Sequence, residues 1–129
     1  MTEAEYISAV RQRIGVEGRV FVESFDLLRA ALIEHPDSPS LWCLRGDMIQ
    51  LSDEDIECSL DDVLPSYQKA LDLNPAWGEA YESIGYFYDK ALDKPADAEV
   101  YFRKALELGR GESAASGLRD ILGQTGRSR

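Results

Sequence analysis

Apolar side chains recur along this chain at intervals of three and four with polar residues between them, the pattern of helices that each bury one face. Tyr6, Ile7, Val10 and Ile14 mark a first short helix from Glu3 to about Ile14, closed by Gly15 and Gly18. A second begins near Arg19 and keeps Phe21, Phe25, Leu28 and Leu32 at helical spacing. Pro36 ends it, because proline lacks an amide donor and its ring clashes with the preceding turn. The third follows the DSPS segment, with Ser38 or Ser40 to cap it and Leu41, Leu44, Met48 and Leu51 as one buried stripe. Four more are expected at about Val63 to Leu73, Gly78 to Leu92, Ala96 to Leu108 and Glu112 to Leu122. Asn74-Pro75, Lys94-Pro95 and Gly109 to Gly111 are the breaks, and residues 123–129 read as a loose tail. No run alternates as a strand would, so the expectation is an all-α chain of about seven antiparallel helices.

The helices repeat one another. Trp42 stands six residues beyond Pro36 and Tyr81 six beyond Pro75, and Gly46 and Gly85 follow each aromatic by four. The helices RAALIEHP, QKALDLNP and RKALELGR align Ala31, Ala70 and Ala105, with Leu32, Leu71 and Leu106 beside them. Small residues at fixed places let paired helices approach closely, and aromatics fill the wider gaps.

These residues resemble the tetratricopeptide repeat family, whose unit is about 34 residues of helix, turn and helix. Its signature is carried by Tyr81, Ile84, Gly85, Tyr88, Ala98, Phe102 and Ala105, with Arg110 or its neighbour in place of the closing proline. An earlier unit offers Trp42, Leu44, Gly46, Tyr67, Ala70 and Pro75. Gly46 to Ala70 spans 24 residues where Gly85 to Ala105 spans 20, which sites four additional residues in the acidic stretch between helices, and Val63 stands where a small residue is expected. The resemblance covers residues 39–110 and implies one domain built as a right-handed helical solenoid. In it 1–36 is a degenerate helical pair, 39–75 a repeat with an acidic insertion, 78–110 a second repeat and 112–122 a capping helix.

Composition narrows the partners. The 129 residues carry 14 basic against 24 acidic side chains, a net charge of -10. That field repels phosphate backbones and anionic lipid, so neither nucleic acid nor a membrane surface is an expected partner. Residues 103–129 hold six basic and three acidic side chains, leaving 1–102 at -13. The N-terminus lacks the basic start of a signal peptide, no apolar run approaches the roughly 20 residues that span a bilayer, and the two cysteines make no disulfide framework. A cytoplasmic protein, monomeric or weakly dimeric, is expected.

Catalytic chemistry finds little support. His35 is the sole histidine, sits before Pro36 and reads as a solvated helix end rather than a general base. Cys43 and Cys58 lack the histidines or further thiols of a zinc site, Cys43 reading as a small residue on a helix face. Asp53, Glu54, Asp55, Glu57, Asp61 and Asp62 lack the central glycine and glutamate spacing of a calcium loop, so this stretch reads as a solvated loop. Carboxylate pairs such as Glu79 with Glu82 or Asp89 with Asp93 are expected by chance in so acidic a chain. No enzyme activity, cofactor or metal is expected.

In the resembled family the first helix of each pair lines a concave surface where peptides lie. Carried onto this chain, that face selects Ser40, Cys43, Asp47, Gln50 and Leu51, then Glu79, Glu82, Tyr86, Asp89 and Lys90. Asp47, Glu82, Tyr86 and Asp89 compose a mostly acidic, partly aromatic strip suited to a segment bearing lysine or arginine. Glu79 and Glu82 would repel the acidic tails of heat-shock chaperones that some family members take. The expected function is a non-catalytic interaction module or scaffold binding a basic or amphipathic protein segment in an acidic concave groove. A small client-specific chaperone and a structural subunit of a larger assembly are the alternatives.

Overall fold

A computed structural model describes residues 1–13, 22–52 and 58–127; the side chains of residues 22 and 124–127 are not described. The described residues form seven α-helices: α1 (Glu3–Arg13), α2 (Val22–Glu34), α3 (Pro39–Leu51), α4 (Val63–Leu73), α5 (Gly78–Tyr86), α6 (Pro95–Glu107) and α7 (Gly111–Arg127). A 3-10 turn at Leu60–Asp62 leads into α4, and a π-helical turn at Phe87–Ala91 continues α5. The expected turn at Ile14, Gly15 and Gly18, the start near Arg19, Phe21 and the acids from Asp53 to Glu57 lie outside the described residues.

The chain divides into two compact units, Met1–Pro75 and Ala76–Arg129. The division falls where the sequence pattern repeats.

In the first unit α1 packs on α2, α2 on α3 and α3 on α4. Val10, Phe25, Leu28, Ala31, Leu41, Met48, Val63, Tyr67 and Ala70 are among its fully or almost fully buried apolar side chains. Ser38 caps α3, its side chain accepting from the Leu41 amide at 3.2 Å while Pro39 takes the first helical position. The Trp42 indole N–H donates to the Pro36 carbonyl at 2.8 Å, so the aromatic six residues beyond the proline ties down the turn that the proline made. Three expectations are corrected here. Leu51 is 46% exposed and Ile49 is buried in its stead, because α3 is covered on more than one side. Leu32 is only half-buried, the close contact falling to Ala31. His35 is not simply solvated: it is half-buried, with its ring edge-on to Tyr6 at 5.8 Å and Nε2 3.0 Å from the Met1 carbonyl.

At the end of the acidic stretch Leu60–Asp62 form a 3-10 turn where a loop was expected. Ser59 and Asp62 exchange side-chain and backbone hydrogen bonds as a capping box, which organises the 3-10 turn before α4.

In the second unit α5 packs on α6, α6 on α7, and α5 also touches α7. Its core is Ala98, Phe102, Ala105, Ala114, Leu118 and Ile121, with Tyr81, Tyr86, Tyr88 and Leu106 packed against it. Tyr81, Tyr101 and Tyr88 stack, with centroids 6.5 and 5.4 Å apart. Two boundaries differ from expectation. The fifth helix leaves α geometry at Phe87, where an extra residue is taken up in a π turn. The expected loose tail instead continues α7 to Arg127, and residues 128 and 129 lie outside the described residues.

Candidate functional site

The residues expected to meet a partner lie on α3 in the first unit and on α5 with its π turn in the second. Each unit builds its part from local contacts.

On α3, Asp47 and Gln50 are half-buried and share one partner. The Tyr67 hydroxyl of α4 donates to Asp47 Oδ1 at 2.5 Å and accepts from Gln50 Nε2 at 2.7 Å. The ring of Tyr67 is fully buried against Gly46, where an added Cβ would lie 2.6 Å from Cε1. Burial first, and the Asp47 charge second, push the Tyr67 phenol well above its ordinary value. The tyrosine therefore stays a neutral donor and holds the carboxylate in place. Cys43 is fully buried, so its thiol presents no surface to a ligand.

Arg45 on the same helix was not singled out by the sequence pattern. Its guanidinium reaches Ser66 Oγ at 2.5 Å and Cys58 Sγ at 3.5 Å, and lies 5.9 Å from the centre of the Trp42 ring. It binds α3 to α4 and to Cys58.

On α5, Glu82 is 8% exposed and accepts from Arg110 Nε at 3.0 Å. Arg110 stands where a closing proline is expected, and its Cγ lies 2.7 Å from where a Cβ on Gly78 would stand. The glycine thus makes room for the arginine stem, which carries the charge to Glu82. Tyr86 lies edge-on to Phe102 at 4.8 Å and donates its hydroxyl to the Ser113 carbonyl at 2.9 Å. Glu82, Gly109, Arg110, Gly111, Glu112 and Ser113 line a shallow concavity of about 220 Å³. Asp89, in the π turn, is buried, and Lys90 beside it is exposed with Nζ 3.3 Å from Asp89 Oδ2. Glu79 is half-buried in the first turn of α5.

The helical faces selected from the sequence thus carry carboxylates that already have partners: Asp47 has Tyr67, Glu82 has Arg110 and Asp89 has Lys90. Arg110 and Tyr67 are the residues that sequence reasoning did not connect to the strip. They lie 28 and 20 residues from the carboxylates they meet, and no local spacing signals either contact. Another concavity, of about 510 Å³, lies on α1 and is lined by Ala4, Ile7, Ser8, Arg11 and Gln12, none of them a residue of the selected faces. Among the described residues no group of His, Cys, Asp and Glu is placed to hold a metal ion, and no helix is long and apolar enough to cross a membrane.

Solved structures resemble this arrangement. PilW, a widely conserved type IV pilus biogenesis factor, matches with a TM-score of 0.79 at 19% identity, over 97% of this chain and 55% of its own. TTC0263, a thermophilic TPR protein in Thermus thermophilus, matches with a TM-score of 0.79 at 15% identity, over 98% of this chain and 67% of its own. The fold is tetratricopeptide-repeat-like. This chain spans about half the length of the PilW chain it matches. No family model and no curated protein matches the sequence. Within the TPR-like frame, Gly46 against Tyr67 and Gly85 against Phe102 are the same contact made twice, a helix glycine receiving the ring of the following helix.

Proposed function

We propose that this chain is a non-catalytic protein-interaction module that takes a basic or amphipathic segment of a partner protein on the helix face carried by α5 and its π turn. The observation that supports the reading is the side-chain row on α5 and its π turn, where Glu82, Tyr86 and Asp89 follow one another at intervals of four and three on a repeat scaffold. Glu82 and Asp89 supply negative charge and Tyr86 an aromatic surface for the stem of a lysine or arginine. Because these carboxylates already meet Arg110 and Lys90, a partner must compete with cations of this chain. That favours a segment with several positive charges over a single one. The net charge of -10 adds long-range attraction, which speeds encounter more than it tightens the complex.

The test is binding of short amphipathic peptides bearing lysine and arginine, compared with the same peptides after charge reversal, at low and high salt. Basic peptides should bind, with association slowed at least about tenfold between roughly 50 mM and 500 mM NaCl, and charge-reversed peptides should not. Equal binding of both sets, or no binding of either, would remove the reading.

A further inference from the structure

We propose that Asp89 is the anchor that selects a cationic side chain on the α5 face, and that Lys90 occupies its place in the free protein. This deepens the function proposed above and rests on it. The Asp89 side chain is 4% exposed, yet its Oδ2 accepts no hydrogen bond. Buried polar atoms are satisfied in roughly nine cases of ten, so an unfilled buried carboxylate oxygen calls for a reason.

Lys90 gives only part of one. Its ammonium lies 3.3 Å from Oδ2 but outside hydrogen-bonding geometry, and its side chain is 61% exposed. Successive residues of a helix do not face each other, which is why an i, i+1 pair meets only obliquely. The charge is countered while the hydrogen-bonding capacity of Oδ2, an atom shielded from solvent in the free chain, stays unused. Glu82 provides the contrast on the same helix: a guanidinium from Arg110 reaches it at 3.0 Å with a proper hydrogen bond. Two buried acids thus stand about two turns apart, one with an arginine of its own and one with a makeshift partner.

The backbone adds an independent reason. Asp89 lies in the π turn Phe87–Ala91, and such single turns inside helices occur frequently at functional sites. A partner's guanidinium, planar and with its donors in a fixed fork, aims an N–H at Oδ2 better than the neighbouring ammonium does. Swinging the Lys90 side chain into solvent frees the place, and the partner's cation takes it. Lysine on the partner would use the same site with fewer aligned donors.

The experiment titrates the full chain with N-acetyl-argininamide and, separately, N-acetyl-lysinamide at constant ionic strength, following backbone amide resonances. Argininamide should give saturable shifts concentrated in residues 86–92 and should bind more tightly than lysinamide. Lys90→Gln should tighten argininamide binding by about threefold or more, since the competing occupant is gone. Asp89→Asn should abolish the saturable shifts without lowering the melting temperature, whereas a merely structural aspartate would lower it. Wild-type affinity in Asp89→Asn, no gain in Lys90→Gln, or shifts spread evenly over all acidic surfaces would overturn the proposal. Should Asp89→Asn fail to fold, the Lys90→Gln arm still decides. Salt-sensitive peptide binding that survives Asp89→Asn keeps the interaction module and removes the anchor; argininamide binding at 86–92 with no peptide binding keeps the anchor and removes the module.

Discussion

Gly46 and Gly85 show how much a single hydrogen atom in place of a methyl group decides. An added Cβ would stand 2.6 Å from Tyr67 at the first and 2.9 Å from Phe102 at the second, and both rings are fully buried. Neither ring has space to retreat, so Gly46→Ala and Gly85→Ala should each cost about 1–3 kcal/mol in urea unfolding despite the better helix propensity of alanine. Gly123→Ala, with nothing within 4 Å of its Cβ, should be neutral or stabilising and serves as the control. Tyr67 carries a second prediction. Folding raises its pKa, through burial and then Asp47, so the folded state keeps the phenolic proton that the unfolded chain releases near pH 10. The stability tied to this group is complete below about pH 10 and is lost as pH rises above it. Melting temperature should therefore fall above about pH 10, and fall less steeply in Tyr67→Phe, which loses about 1 kcal/mol at neutral pH with the hydrogen bonds. An equal alkaline slope in both proteins would contradict this. At this scale the buried glycines and alanines were legible from their recurrence, whereas Leu51 was misplaced, because periodicity names one stripe and α3 is covered on several sides.

Helix boundaries were legible wherever a backbone rule acts locally. Pro36, Pro39 and Pro95 end or begin helices as proline's missing donor and fixed φ require, and Ser38 caps α3. The π turn was not legible, because the sequence over 78–92 keeps a helical pattern and one extra residue changes only how it is wound. Its end is closed by Asp93 at φ 51°, with the Lys94 amide bonded to the Tyr88 carbonyl at 2.8 Å. A left-handed conformation suits glycine better than aspartate, and a negative charge at a helix C-terminus is unfavourable. Asp93→Gly should raise stability by about 0.5–1 kcal/mol, measured by urea unfolding. A loss of stability would show that the Asp93 side chain has a structural part. At the end of α6, Gly109 at φ 89° already makes the corresponding turn with glycine.

For the whole molecule, charge is unevenly divided between the two units. Residues 1–75 hold 15 acidic and six basic side chains and residues 76–129 hold nine and eight, so nearly all of the net charge of -10 belongs to the first unit. Like charges oppose compaction, and salt screens them over a shorter distance. Raising NaCl from about 20 to 300 mM should therefore raise the melting temperature, and amide exchange should slow more in 1–75 than in 76–129. Equal slowing in both units would place the repulsion elsewhere. The same screening should weaken capture of a basic segment, so stability and binding are expected to move in opposite directions with salt.

Among the described residues, seven helices, the breaks at Pro36, Asn74-Pro75 and Lys94-Pro95 and the phase of the repeat follow from the sequence alone, since periodicity and proline act within a few residues of where they stand. The electrostatic state of the candidate faces does not. Arg110 reaches Glu82 across 28 residues, and Tyr67 reaches Asp47 across 20. A count of acids along a helix therefore overstates the charge left for a partner. Only the packed structure shows that Asp47 and Glu82 already have a donor, because Tyr67 comes from the next helix and Arg110 from the turn that follows the next helix, and pairing at that range is set by tertiary contact.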